Sequence, residues 1–384
     1  MTILKNNHEA YLPGSTIGIL GGGQLGRMIA LEGRKMGYRF VTLDPTEDSP
    51  CGQVADEQII APYDDLDAAK ELATCSDLVT YEFENVSAPV TELLAKLTDV
   101  PQGAQLLANT QDRLREKAML QQHGIRVAPY APVSTLEELH QAAAIIGYPL
   151  VLKTTTGGYD GKGQELVKEV TELESAFSAL FDGATPLVAE AWLPLTKELS
   201  VIVARNRRGE ISTFPVAENE HRHHILHASI VPARVPQEVA TEAEDIAHHL
   251  ADAIQLVGLL AVEFFYVEGE GLFVNELAPR PHNSGHYTYD AAVTSQFEQH
   301  VRAICNLPLG EARLLTPVVM VNILGQHVEA LWECIPTLPN NVKIHWYGKA
   351  EVKVNRKMGH LTFLGQTTDE LLTQIDNLPI WKGE

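Results

Sequence analysis

Glu263 and Glu276 are the pair whose types and spacing point most directly to chemistry. Residues 260–267 and 272–276 read as strands, and residues 268–271 between them read as a four-residue hairpin loop. Pairing Val267 with Leu272 then sets Glu263 opposite Glu276. Two like charges about 5 Å apart destabilise a sheet unless something positive lies between them. A hard divalent cation such as Mg²⁺ or Mn²⁺ would answer that need, taking one or two carboxylates from protein and the rest of its shell from water and phosphate. A register slipped by one residue would instead turn one carboxylate to solvent.

Other residues could serve phosphate. Lys153 closes the apolar strand-like run 148–153, and residues 154–163 after it are rich in Gly and Thr. Gly157, Gly158, Gly161 and Gly163 with Lys162 make a flap whose backbone N–H groups can wrap phosphate oxygens, while the two lysines add charge. The spacing of a Walker A loop is absent. Further on, Glu190, Ala191, Trp192 and Leu193 end a strand beside a proline, and could offer backbone groups to an adenine edge with Glu198 reaching ribose hydroxyls.

Near the start, residues 21–26 read Gly-Gly-Gly-Gln-Leu-Gly between a strand and a helix, with Asp44 closing the next strand. Taken alone this is a dinucleotide fingerprint and would suggest a nicotinamide oxidoreductase. The physics is broader than the label, because a glycine turn at a helix N-terminus attracts any phosphate. His221, His223, His224 and His227 invite a zinc reading, but lack a fourth ligand and tetrahedral spacing.

These groups need elements to hold them. The first dozen residues look like a flexible extension, taken as 1–14. Residues 15–108 alternate strand and helix in the manner of a Rossmann-like parallel sheet, and a polar helical stretch at 110–123 leads onward. Residues 109–305 then form a second domain, with the flap in a subdomain at about 124–195. Residues 306–384 read as a small β-rich domain.

The chain has 384 residues, enough for two or three cored domains. Lys plus Arg total 29 against 50 Asp plus Glu, a formal charge of −21, which argues against nucleic acid as a partner. Cys51, Cys75, Cys305 and Cys334 show no CxxC spacing, so reduced thiols in a cytoplasmic setting are expected. No apolar run approaches a membrane span.

Taken together, Lys153, the flap, residues 190–193, Glu198 and the opposed glutamates resemble the ATP-grasp superfamily, an α/β fold. Within it, the segments 21–28 (GGGQLGRM), 81–86 (YEFENV), 218–226 (ENEHRHHIL), 275–286 (NELAPRPHNSGH) and 356–360 (RKMGH) are similar to the 5-(carboxyamino)imidazole ribonucleotide synthases of purine biosynthesis. The likeness runs from about residue 15 to 365. It implies ATP-dependent carboxylation of aminoimidazole ribonucleotide by bicarbonate through carboxyphosphate, in a homodimer.

The resemblance also implies roles. Arg113, Lys153, Gly158, Tyr159, Asp160, Gly161, Lys162, Gly163, Gln164, Glu190, Ala191, Trp192, Leu193, Glu198, His221, Asn275 and Glu276 would hold ATP, and Glu263 with Glu276 the metal. Gly23, Gln24, Leu25, Glu82, Asn283, Ser284, Lys353 and Arg356 would hold the ribonucleotide. Arg280, Lys353, Tyr159 and Asp160 would take part in catalysis, Arg280 at the bicarbonate or carboxyphosphate. Formate-dependent glycinamide ribonucleotide transformylase is the nearby alternative. Two departures stand out. Ala278 replaces an Asn of carboxylating relatives, leaving Asn275 or water as third metal ligand, and residues 351–356 lack an expected Pro-Gly turn.

Overall fold

A computed structural model describes residues 10–84, 86–157 and 162–381, and among these residues three sheets set the architecture. Gly158, Tyr159, Asp160 and Gly161 of the flap lie outside the described residues. The first sheet is parallel, in the spatial order Glu57–Ile59, Arg39–Leu43, Thr16–Leu20, Leu78–Tyr81. Its helix Gln24–Lys35 buries Leu25, Met28 and Ile29 against Ile17, Ile19 and Phe40, and the same core takes in Phe297 and Val301 of the helix Gln296–Ile304. Gly33 permits that approach, since a Cβ there would stand 2.2 Å from the Phe40 ring.

A second, antiparallel sheet has the order Tyr130–Val133, Leu187–Ala191, Leu150–Thr154, Gln164–Val167. The helices Leu136–Ile146 and Leu173–Leu180 cover it through Leu139, Ala143 and Ala176.

The large antiparallel sheet runs Gly271–Ala278, Gly258–Val267, Lys197–Arg205, Ala217–Arg222, Ile225–Val231, Val318–Leu324, Lys357–Leu364, Val342–Trp346, with Ile211–Thr213 beside Lys197–Arg205. The helix Gln237–Ala253 lays Val239, Ala243, Ala247 and Leu250 over Val201, Val203, Leu260 and Val262. The last three strands in that order belong to the C-terminal segment. They extend the large sheet rather than building one of their own, because Ile225–Val231 and Val318–Leu324 are buried throughout and each needs the other as a ladder partner.

Three expectations are corrected in detail. Residues 10–14 are docked rather than loose: the Tyr11 N–H donates to the Cys305 carbonyl at 2.9 Å and its hydroxyl to Asp99 at 2.9 Å. The polar stretch 110–123 is helical as expected but starts later, as Arg113–Gln122: Thr110 ends the preceding helix Ala104–Thr110, and Asp112 accepts the N–H groups of Leu114 and Arg115 and starts a new helix. In the metal-candidate hairpin, Val267 faces Gly271 and not Leu272, and the register shifts between Glu263 and Phe264, at Asn275 of the partner strand. The bulge returns the residue that the shorter loop removes, so Glu263 still faces Glu276.

Candidate active site

Between the second sheet and the large one lies a cleft of about 980 Å³. The second sheet contributes Lys153, Gln164, Glu190 and Ala191, with Trp192, Leu193 and Lys162 at its mouth. The large sheet contributes Glu198, His221, Glu263, Asn275 and Glu276, and the segment after Ala278 adds Arg280, His282 and Asn283. Arg113, Glu116 and Lys117 enter from the helix that Asp112 caps.

The two opposed carboxylates are not equivalent. Glu263 receives the His282 Nε2 at 3.0 Å; burial alone would raise its carboxyl, but that bond and charge outweigh burial and hold it below the usual range. Among the described residues the ion-pair partner of Glu276 is Arg113, 4.0 Å away, and its carboxyl is pushed up to about 7, first by burial and then by the Glu263 charge. About half of its side chain still reaches solvent. Such a crowded acceptor pair suits a hard divalent cation bound together with phosphate oxygens. Ala278 sits in the apolar core, so that position supplies no ligand. Beneath the pair, buried Glu116 accepts the Leu277 N–H at 2.8 Å, and its carboxyl is pushed well up by burial and then by Glu276.

The side of the cleft lined by the second sheet is organised by one buried carboxylate. Glu190 meets Lys153 at 3.0 Å and Lys117 at 3.3 Å; burial would raise it, but the two ammonium groups hold it low. One carboxylate between two lysines leaves a net positive charge facing the cleft. Glu198 and His221 Nδ1 pair at 3.0 Å across neighbouring strands. Burial works against the imidazolium there, yet the bond and charge of Glu198 raise His221 above its ordinary value.

Of the other histidines of that cluster, His223 and His224 line the cleft with His221 and His227 does not. His223 and His224 occupy a turn at positive φ, and buried His227 meets Trp381 edge-on.

Arg280 is held by Glu84: its Nε and Nη2 both donate to the carboxylate, the latter at 3.0 Å. Asn283 exchanges amide hydrogen bonds with Asn322 at 3.0 and 2.7 Å. Ser284 is buried and committed to the protein, receiving Ser200 Oγ at 2.7 Å and lying 2.8 Å from His282 Nδ1. The Ser284 N–H also donates to that nitrogen at 3.3 Å, so Nε2 carries the proton facing Glu263.

The glycine turn stands apart. Glu82, itself buried, accepts the N–H groups of Gly23 and Gly26, and Asp44 accepts that of Gly22 at 2.8 Å. The helix N-terminus is thus capped by the protein's own acid, leaving Gln24 and Leu25 between the two capped positions. Facing this turn are cations of the C-terminal hairpin. Lys349 is pulled down to about 8 by burial, then by Arg356, against the favourable charge of Glu82. Its Nζ donates to the Lys357 carbonyl at 2.7 Å, while the Lys357 side chain lines the cleft.

Lys353 does not join them. Its side chain is 65% exposed and paired with Glu351, on an exposed loop that turns without the Pro-Gly pair: the Arg356 N–H donates to the Lys353 carbonyl at 3.0 Å and Asn355 takes the positive φ. Sequence reasoning therefore missed Lys349 and Lys357, and also Glu84, Lys117 and His282. The last lay in plain view between Arg280 and Asn283.

Comparisons with known proteins agree with this geometry. Residues 15–111 match the ribonucleotide synthetase preATP-grasp domain, 118–297 the ATP-grasp domain, and 318–374 the phosphoribosylaminoimidazole carboxylase C-terminal domain. An N5-carboxyaminoimidazole ribonucleotide synthase of Bacillus subtilis is 52% identical over 369 residues, 96% of either chain. The chain belongs to the N5-carboxyaminoimidazole ribonucleotide synthase family. The crystal structure of an ADP complex of such a synthetase superposes with a TM-score of 0.94 at 52% identity, covering 97% of this chain and 98% of that one. The Aspergillus clavatus synthase in complex with ADP and 5-aminoimidazole ribonucleotide gives 0.88 at 32% identity, covering 95% and 97%. The family is ATP-grasp, so the nicotinamide reading of the glycine turn is set aside.

Proposed function

We propose that the protein carboxylates 5-aminoimidazole ribonucleotide with bicarbonate at the expense of ATP, releasing N5-carboxyaminoimidazole ribonucleotide, ADP and phosphate in purine biosynthesis. The observation that carries this reading is the meeting of unlike equipment in one cleft. Opposed Glu263 and Glu276 lie beside Lys153 and Arg113 on the nucleotide side, and Arg280 stands next to them on the side of the glycine turn. Phosphoryl transfer needs positioning and charge neutralisation more than a covalent nucleophile.

In the proposed reaction a bicarbonate oxygen forms a bond to the γ-phosphorus, and the β–γ bridging bond breaks to give carboxyphosphate and ADP. The exocyclic amine then takes the carboxyl carbon, as carboxyphosphate or as released CO₂, with loss of phosphate and a proton. Glu263 and Glu276 would hold Mg²⁺ or Mn²⁺, which neutralises phosphate charge when bound. Lys153 and Lys162 approach the phosphates, while Glu190 to Leu193 and Glu198 meet adenine and ribose. Arg280 holds the one-carbon acid. The ribonucleotide phosphate is placed at Gln24 and Leu25 against Lys349 and Arg356, with Asn283 on the cleft side.

Trp192 is 44% exposed at the cleft mouth, positioned to shield the base. Among the described residues no helix is long and apolar enough to cross a membrane. We place the enzyme in the cytoplasm, as a homodimer.

The test is ADP release by the purified protein with aminoimidazole ribonucleotide, with and without bicarbonate. Release that requires bicarbonate is expected. Release that requires formate instead would move the reading to the transformylase.

A further inference from the structure

The loop after the strand Leu78–Tyr81 carries two acids with separate partners. Glu82 closes the glycine turn by accepting the Gly23 and Gly26 N–H groups. Glu84 reaches the other way and takes Arg280. Its backbone is fixed from the nucleotide side: Gln111 Nε2 donates to the carbonyls of Glu84 at 2.5 Å and Val86 at 2.8 Å. Gln111 immediately precedes Asp112, which caps the helix bearing Arg113 and Lys117. One short segment therefore touches the ribonucleotide turn, the acid-handling arginine and the start of the nucleotide-side helix.

The hydrogen-bond inventory of Arg280 shows what Glu84 does to it. A guanidinium has five N–H groups in a rigid plane. Nε and one hydrogen of Nη2 go to Glu84, and one hydrogen of Nη1 goes to the Pro281 carbonyl at 3.1 Å. Among the described residues that leaves one N–H on each Nη without a partner, side by side along the outer edge, at a position lining the cleft. Two parallel N–H donors match two oxygens of a planar acid.

We infer that Glu84 is a positioning residue for carboxyl activation, gripping the inner edge of Arg280 so that its outer edge meets bicarbonate and carboxyphosphate. The inference rests on the carboxylation proposed above and deepens it. Both oxygens of the Glu84 carboxylate are taken by Arg280. It acts through the arginine, and it does so from the loop that also closes the ribonucleotide turn.

The experiment is a double-mutant cycle on kcat/KM for bicarbonate, with ATP and ribonucleotide saturating. It compares wild type, Glu84→Ala, Arg280→Ala and the double variant, and follows KM for ATP and the melting temperature in parallel. A misplacement of about 1 Å can cost on the order of 100-fold. Glu84→Ala is accordingly expected to lower kcat/KM for bicarbonate ~30-fold or more, with KM for ATP moving less than about twofold. The double variant should be no worse than Arg280→Ala alone, because Glu84 has nothing to position once the guanidinium is gone.

Losses that multiply in the double variant would overturn the inference, as would parallel shifts of the bicarbonate and ATP constants. Should Glu84→Ala fail to fold, Glu84→Gln keeps the volume and removes the charge, and the same cycle is read with it. A wild type that responds to bicarbonate beside a Glu84 variant whose kcat/KM for bicarbonate is unchanged sinks the inference alone. A wild type indifferent to bicarbonate sinks the carboxylation itself, and the inference with it.

Discussion

The glycine turn and the cleft handle anions on opposite plans. At the turn, the backbone N–H groups that would greet a pyrophosphate are already bonded to Glu82, and a Cβ on Gly23 would stand 2.6 Å from that carboxylate. In the cleft, Lys153 and Arg280 are each paired with an acid, Glu190 and Glu84, and still line the open volume. A glycine fingerprint thus reports only that backbone comes close to something. Here the close neighbour at Gly23 is a side chain of the same protein, and the charged groups proposed for the triphosphate sit in other sheets.

Substitutions should separate the two plans sharply. Glu276→Gln removes a carboxylate whose partner among the described residues is a distant Arg113, so kcat for ADP release should fall by on the order of 1,000-fold with the fold intact by circular dichroism. Near-normal turnover would break the assignment. Glu82→Ala should do the reverse: it orphans two N–H groups, at a cost of about 2 kcal/mol, lowering the melting temperature while the KM for ATP stays put. A variant as stable as wild type would show that the turn does not depend on its internal acid.

The cations opposite the turn allow a finer cut. Lys349→Ala should raise the KM for the ribonucleotide ~10-fold, in keeping with one lost charged hydrogen bond, and leave that for ATP unmoved. Lys353→Ala should alter neither, because that ammonium is spent on Glu351 at the surface. The reverse ranking would restore Lys353 to the site.

The smallest effect concerns pH. His221 titrates above its ordinary 6.5 because Glu198 outweighs burial, so the pair adds stability that is full below about pH 6.5 and fades as pH rises through the higher folded value. The melting temperature of wild type should exceed that of Glu198→Gln most at pH 5.5, and the gap should narrow by pH 8.5. A constant gap would mean that the pair does not titrate.

Much of this was legible in the residues, for uneven reasons. Strand periodicity placed Glu263 opposite Glu276, although the loop was read one residue too long and the bulge at Asn275 could not be seen; the two errors cancel. The parallel order of the first sheet followed from a strand, turn, helix, strand pattern that offers few alternatives.

Buried charge is what the sequence hid. Lys117 lies on a polar helix that reads as exposed, and only its distance to Glu190 reveals it as an interior residue at 2% exposure. Lys353 misled because resemblance fixes a motif more firmly than the loop before it, and here that loop is exposed. The continuity of the C-terminal strands with the large sheet was equally hidden, since no local pattern says which edge a strand will join.

That continuity has a mechanical consequence. The hairpin bearing Lys349 and Arg356 shares one hydrogen-bonded framework with the strands bearing Glu263 and Glu276. The span between the proposed phosphate anchor and the proposed metal acids is therefore carried by continuous ladders of a single sheet. Lys153 and the proposed base-binding segment stand on the separate sheet of Tyr130–Val133, Leu187–Ala191, Leu150–Thr154 and Gln164–Val167, so tightening around the reactants is expected from that side.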